Sequence, residues 1–75
     1  MSVYDLKVGD TATVTKINFS GGAAARLSSL GITCGKRIEV LSFSLFKSSV
    51  LIGCGAVRLG VRKSLATQIE VEQCE

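Results

Sequence analysis

The chain has 75 residues, which is enough for one domain and too short for two. Hydrophobic residues make up 47% of it and charged residues 20%, a balance typical of a folded domain rather than a disordered chain. No apolar stretch approaches the roughly 18 residues of a membrane-spanning helix. A domain of this size has a thin core with little room for an internal ligand cavity. We therefore expect a domain that does not span a membrane and acts through its surface.

Five short segments are predicted to be strands. They run from Thr11 to Ile17, Arg37 to Leu45, Val50 to Ile52 and Val57 to Arg62, with a last short strand through Ile69 and Val71. Apolar residues alternate with polar ones in most of these segments, as expected for half-buried strands. In the second segment the alternation changes phase between Val40 and Leu41, which predicts a bulge or a strong bend at that point.

One helix is predicted early in the chain, from Ala23 to Leu30. Ser20 is placed to cap its start, and Ala23, Leu27 and Leu30 share one face. Gly31 follows, where a left-handed helix cap is most easily formed. A helical turn is predicted at Lys63–Ala66. Five close strands with one early helix predict a mainly β fold, a small and strongly bent barrel.

The net charge of +3 is unevenly distributed. Eight basic residues and a single acid, Glu39, lie between Lys16 and Lys63, whereas the other five acids lie towards the two ends of the chain. A basic centre favours an acidic protein surface, a nucleic acid or an anionic lipid as partner, although a solvated surface would give the same pattern. No aromatic residue is interleaved with these charges, which disfavours single-stranded nucleic acid.

Residues that could carry catalysis or hold a metal are scarce. The chain has no histidine, and no pair of acids has a spacing that would bring it together in a cleft. The three cysteines, Cys34, Cys54 and Cys74, form no CxxC pair. Because no secretory signal is evident at the start, we expect a cytoplasmic protein with free thiols. We expect no enzyme activity, no cofactor and no metal site.

Two blocks carry a family resemblance. The first is Ala25 to Gly35, with the sequence ARLSSLGITCG, and the second is Val57 to Val71, with the sequence VRLGVRKSLATQIEV. Their order and spacing resemble those of the FeoA family, small cytosolic proteins of bacterial ferrous-iron transport. The resemblance extends from Leu6 to Val71. Cys34 stands where the family usually has proline, so the loop loses some rigidity.

The resemblance implies an SH3-like barrel with a helical insertion. It also implies a non-enzymatic accessory role beside FeoB, the membrane ferrous-iron transporter with a cytosolic GTP-binding domain. No nucleic acid is then expected as partner, and no oligomeric state is predicted. The alternative from another functional class is a small SH3-like barrel that binds nucleic acid.

Candidate binding residues follow from the predicted helix and the basic strand. They are Leu27, Arg26, Arg58, Arg62 and Lys63, with Leu30, Gly31, Ile32 and Gly35 as the structural motif that forms the turn. We expect Leu30 to be the core leucine of the helix. Leu27 is expected either at the edge of the barrel, where it would anchor a partner, or in the core.

Overall fold

The computed structural model describes residues 1–73 as one antiparallel sheet with two helices. The strands are β1 (Thr11–Ile17), β2 (Arg37–Phe43), β3 (Ser49–Cys54), β4 (Val57–Arg62) and β5 (Ile69–Gln73), and the helices are α1 (Gly22–Ser29) and α2 (Lys63–Ala66). Short 3-10 helices lie at Val3–Asp5 and Leu45–Lys47. The strand order is β4-β3-β2-β1-β5. The mainly β fold is confirmed, with its helix after the first strand and its helical turn before the last.

Two irregularities bend the sheet. The register of β2 against β3 shifts between Val40 and Ser42, and that of β1 against β5 shifts between Val14 and Lys16. The first shift confirms the bulge predicted from the change in alternation. Ile38 and Val40 are buried, whereas Leu41, beyond the regular alternation, packs over the outer side of Gly53. A bulge increases the local twist, which lets a five-stranded sheet curl around its own core.

Strand β2 ends at Phe43, two residues earlier than predicted. Ser44 ends the strand pair, because its N–H donates to the carbonyl of Ser49 and its hydroxyl accepts from the N–H of Ser49, both at 2.9 Å. Leu45 is 79% exposed and Phe46 is 92% exposed, so the prediction that Leu45 is an apolar strand position is wrong. Both apolar side chains stand on a tip rather than in the sheet.

The core is one apolar cluster with contributions from every strand. Its buried members are Val3, Leu6, Ala12, Val14, Leu27, Ile32, Ile38, Val40, Val50, Ile52, Val61, Ala66, Ile69 and Val71. No polar or charged residue within positions 1–73 is buried. No helix in this part of the chain is long and apolar enough to cross a bilayer.

The first residues of the chain pack along β5. Ser2 forms a bridge with Glu70, and the N–H of Val71 donates to the carbonyl of Met1 at 2.9 Å. Asp5 fixes the turn, because its carboxylate accepts from the backbone N–H of Ser2 at 2.9 Å, and this hydrogen bond holds the pKa of Asp5 below its ordinary value. This segment therefore covers one edge of the sheet.

Helix α1 starts differently from the prediction. Its N-cap is Gly21 in a left-handed conformation (φ 86°), no side chain caps its first turn, and the predicted capping role of Ser20 is wrong. The glycine allows the chain to turn sharply into the helix at a backbone conformation that an L residue rarely adopts. The helix consequently begins at Gly22, one residue before the predicted start.

The end of α1 is a Schellman motif. The N–H of Ile32 donates to the carbonyl of Leu27 at 2.9 Å, and the N–H of Gly31 donates to Ser28 at 3.0 Å. Gly31 has a φ of 84° and Gly35 a φ of 92°, so both glycines occupy the left-handed region and the predicted glycine stop is confirmed. Ile32 is buried, in keeping with the apolar contact that frequently accompanies this motif.

Leu27, not Leu30, is the core leucine at this helix, so the core position expected as one alternative for Leu27 is confirmed. Leu27 is 5% exposed and belongs to the core, whereas Leu30 is half-buried. The N–H of Ile32 donates to the carbonyl of Leu27, and this bond of the Schellman motif brings the two residues together. Leu27 therefore packs with Ile32 in the core. The expectation of Leu30 as the core leucine is therefore wrong.

Candidate partner-binding site

A groove of about 400 Å³ lies between α1 and β4. Its lining residues come from the loop before α1, from both helices and from β4: Phe19, Gly22, Ala23, Arg26, Leu27, Leu59, Gly60, Val61, Arg62 and Leu65. We call this surface the α1–β4 groove. Its apolar part is formed by leucine, valine and phenylalanine side chains, and no acidic residue lines it. An apolar floor with only positive charge around it suits an acidic partner that also presents an apolar side chain.

The arginine side chains of α1 and β4 lie at the surface beside buried apolar neighbours. On α1, Leu27 points into the core while its neighbour Arg26 is exposed. On β4, Val61 is buried and Arg62 is exposed, as expected for successive residues of a strand. No hydrogen bond or ion pair joins either guanidinium group to another residue of the described chain. Among residues 1–73 nothing occupies either guanidinium group, so both can pair with a carboxylate of a partner.

The structure brings together three of the five predicted binding residues. Arg26, Leu27 and Arg62 line the α1–β4 groove. Arg58 instead lines a second groove of about 380 Å³ on the outer face of the sheet, near Arg37 and Glu39. Lys63 follows Arg62 at the start of α2, and its Nζ lies 5.3 Å from the ring centre of Tyr4. Binding by any of the five stays a prediction.

Sequence reasoning missed several lining residues of the groove. Leu59 and Leu65 are half-buried, and from the sequence they resemble ordinary core residues. Phe19 lies in a loop, where no periodic pattern predicts its position. The large exposed apolar residues within positions 1–73 do not line this groove either; they are Met1, Val8, Leu45 and Phe46.

Cys34 and Cys54 do not line this groove. Cys34 is exposed, Cys54 is half-buried, and both are free thiols. Cys74 lies outside the described residues. Within positions 1–73, no three residues among Cys, Asp and Glu form a group that could hold a metal ion.

Purified protein is expected to hold no stoichiometric Fe²⁺ or Zn²⁺, because the chain lacks histidine and its cysteines are scattered. Elemental analysis of protein purified without chelator measures this directly. One tightly held metal per chain, lost when Cys34, Cys54 and Cys74 are changed to serine, would contradict the expectation.

The family model of the FeoA domain matches residues 1–73. The chain belongs to the FeoA family. A solution structure of the FeoA protein from Chlorobium tepidum is similar over 100% of this chain and 71% of that chain, with a TM-score of 0.94 and 29% identity. Comparison with curated proteins gave no match.

Two further FeoA structures are similar to this chain. A crystal structure of an iron uptake regulatory protein (FeoA) is 30% identical, with a TM-score of 0.81, and the match covers 99% of this chain and 96% of that chain. FeoA from Stenotrophomonas maltophilia, crystallised with zinc and described as a prokaryotic SH3 domain protein, matches 96% of this chain and 89% of that chain with a TM-score of 0.81. At 22% identity the latter shows the SH3-like fold alone. Membership of the FeoA family links the chain to ferrous-iron transport.

Proposed function

We propose that the chain is a cytoplasmic, non-enzymatic accessory protein of bacterial ferrous-iron uptake. Its partner is the cytosolic part of a FeoB-like membrane transporter that carries a G-protein domain. Family membership supports the transport process, and the observation that carries the binding role is the α1–β4 groove. The groove combines an apolar floor with two arginines that pair with no other residue within positions 1–73, which is the composition of a protein-binding surface rather than of a catalytic centre.

Arg26 and Arg62 set the charge preference of this surface. They come from different elements, and no carboxylate lies between them in the groove. An acidic patch on the transporter would be steered towards the groove at long range and would pair with the two guanidinium groups on contact. The apolar floor then excludes water and strengthens those pairs.

The double variant Arg26→Glu/Arg62→Glu is expected to slow association with the cytosolic domain of the transporter by about tenfold at low salt. The loss should shrink as salt rises, because exposed charges are screened beyond roughly 10 Å at 0.1 M ionic strength. Surface-plasmon measurements of the association rate at several salt concentrations test this.

The matched control is Lys7→Glu/Lys36→Glu, which changes the net charge equally at two exposed residues outside the groove. We expect the control to retain most of the association rate. Equal slowing by both variants would mean that total charge, not the groove, directs binding. A duplex oligonucleotide that binds the protein as tightly as the transporter domain does would favour the nucleic-acid alternative instead.

A further inference from the structure

The two edges of the sheet differ. Strands β4 and β5 are the outer strands of the order β4-β3-β2-β1-β5. The edge of β5 is paired with the start of the chain through Ser2 and Met1. Within residues 1–73, β4 pairs with β3 alone, so its outer edge has no strand beside it. An open edge presents unpaired N–H and C=O groups, which are a template for another strand.

The hairpin register identifies those groups. Cys54 pairs with Val57 across the two-residue turn at Gly55 and Ala56, and this pair exchanges the hydrogen bonds nearest the turn. Hydrogen-bonded pairs alternate along an antiparallel ladder, so Leu59 also bonds to β3. The N–H and C=O groups of Arg58 and Gly60 therefore point outwards from the free edge.

Gly60 makes this edge accessible at the α1–β4 groove, which it lines. A Cβ built on Gly60 meets no atom within 4 Å, so open space surrounds its backbone. Its φ lies outside the left-handed region, and no turn requires glycine at this position. A glycine inside a strand often marks a site where another backbone approaches closely.

The charges of β4 decide between two kinds of occupant. Arg58, Gly60 and Arg62 share the outer face of the strand. If a second copy added its own β4 antiparallel to this edge, the four arginines of the two copies would lie on one face of the joined sheet, where like charges repel. A strand with carboxylates at the facing positions would instead pair with Arg58 and Arg62.

We propose that an extended acidic segment of the partner adds to the free edge of β4 as a sixth strand. Its backbone bonds to Arg58 and Gly60, its carboxylates face Arg58 and Arg62, and one of its apolar side chains enters the α1–β4 groove. This mode of recognition takes affinity from main-chain hydrogen bonds and specificity from alternate side chains. The inference rests on the proposed function, because it names how the same site holds its partner.

Two substitutions at Gly60 separate strand addition from docking of side chains alone. Gly60→Pro removes the outward N–H and adds a ring at the edge, while the hydrogen bonds of β3 with Leu59 and Val61 remain. We expect it to weaken binding to the cytosolic domain of the transporter by at least about tenfold. Gly60→Ala keeps the N–H but adds a methyl group where the partner's backbone approaches, so it should weaken binding less than Gly60→Pro does. Thermal melts of both variants show whether the fold is retained.

Amide hydrogen exchange measured by NMR tests the proposal without any substitution. Free protein should exchange the amides of Arg58 and Gly60 rapidly, and addition of the transporter's cytosolic domain should protect both. Resonance shifts around the groove without protection of these amides would overturn strand addition and leave the proposed function standing. No shift anywhere would overturn the proposed function itself. Protection that grows with protein concentration in the absence of the transporter domain would identify a second copy as the occupant and would also overturn the proposal.

Discussion

Replacing Leu27 by alanine is expected to lower the free energy of unfolding by about 3 kcal/mol. The side chain is 5% exposed and lies in the single apolar core of the domain. Its removal costs the transfer free energy of the lost methyl groups and leaves a cavity that the surrounding strands fill only in part. For a domain of 60–100 residues, this loss corresponds to a fall in melting temperature of roughly 12–24 °C. Thermal unfolding followed by circular dichroism measures it.

Leu27→Met is the matched control, because methionine has a similar volume and is expected to cost less than about 1.5 kcal/mol. If Leu27→Ala melted like the parent, the core position of this leucine would be wrong, and the alternative of an exposed anchor would be restored. Because Leu27 also lines the α1–β4 groove, any loss of binding in the alanine variant must be compared with its loss of stability. The exposed arginines are the better test of binding.

Replacing Gly31 by valine is expected to lower the free energy of unfolding by about 2 kcal/mol. Gly31 has a φ of 84° at the end of α1, where a β-branched residue is strained whatever space surrounds it. The same residue donates its N–H to Ser28, so a shift of the backbone would also disturb the Schellman motif that buries Ile32. Urea denaturation gives the change in the free energy of unfolding.

Gly22 offers the control for this substitution. It is the first residue of α1, its φ lies outside the left-handed region, and a Cβ built on it meets no atom within 4 Å. Gly22→Ala is therefore expected to raise the free energy of unfolding by about 0.5 kcal/mol, since alanine restricts the unfolded chain and favours helix. If both substitutions were neutral, the end of α1 would not depend on a left-handed residue.

Much of the fold was predictable because single residues control local structure. The change in alternation after Val40 predicts the bulge, because an extra residue in a strand shifts which face the following side chains occupy. Gly31 predicts the end of the helix, because glycine readily adopts the left-handed conformation found there. The order of burial of Leu27 and Leu30 was not predictable from helical spacing. It depends on the bond from Ile32 back to Leu27, which only the folded turn forms.

The charged residues of the candidate site were predictable from the sequence, whereas its apolar lining was not. Arg26 and Arg62 stood out as charges on a helix and a strand, and the structure places both at one groove. Their partners in that groove, Phe19, Leu59 and Leu65, are separated along the chain and carry no shared pattern. The free edge of β4 depends on strand order, which alternation along a strand does not specify. Recognition of a surface therefore required the topology.

The pairing of the first residues and β1 with β5 also affects how the domain folds. Ala12 of β1 faces Gln73 of β5, and Met1 accepts a hydrogen bond from Val71, so the β5 side of the sheet joins residues from opposite ends of the sequence. Such contacts require closure of a long loop before they contribute free energy, and barrels of this kind fold in milliseconds to seconds. During synthesis, β1 has no partner in β5 until the ribosome has released almost every residue described here. Val3 and Leu6, which are buried in the folded domain, therefore stay exposed to solvent and to chaperones until β5 has been synthesised.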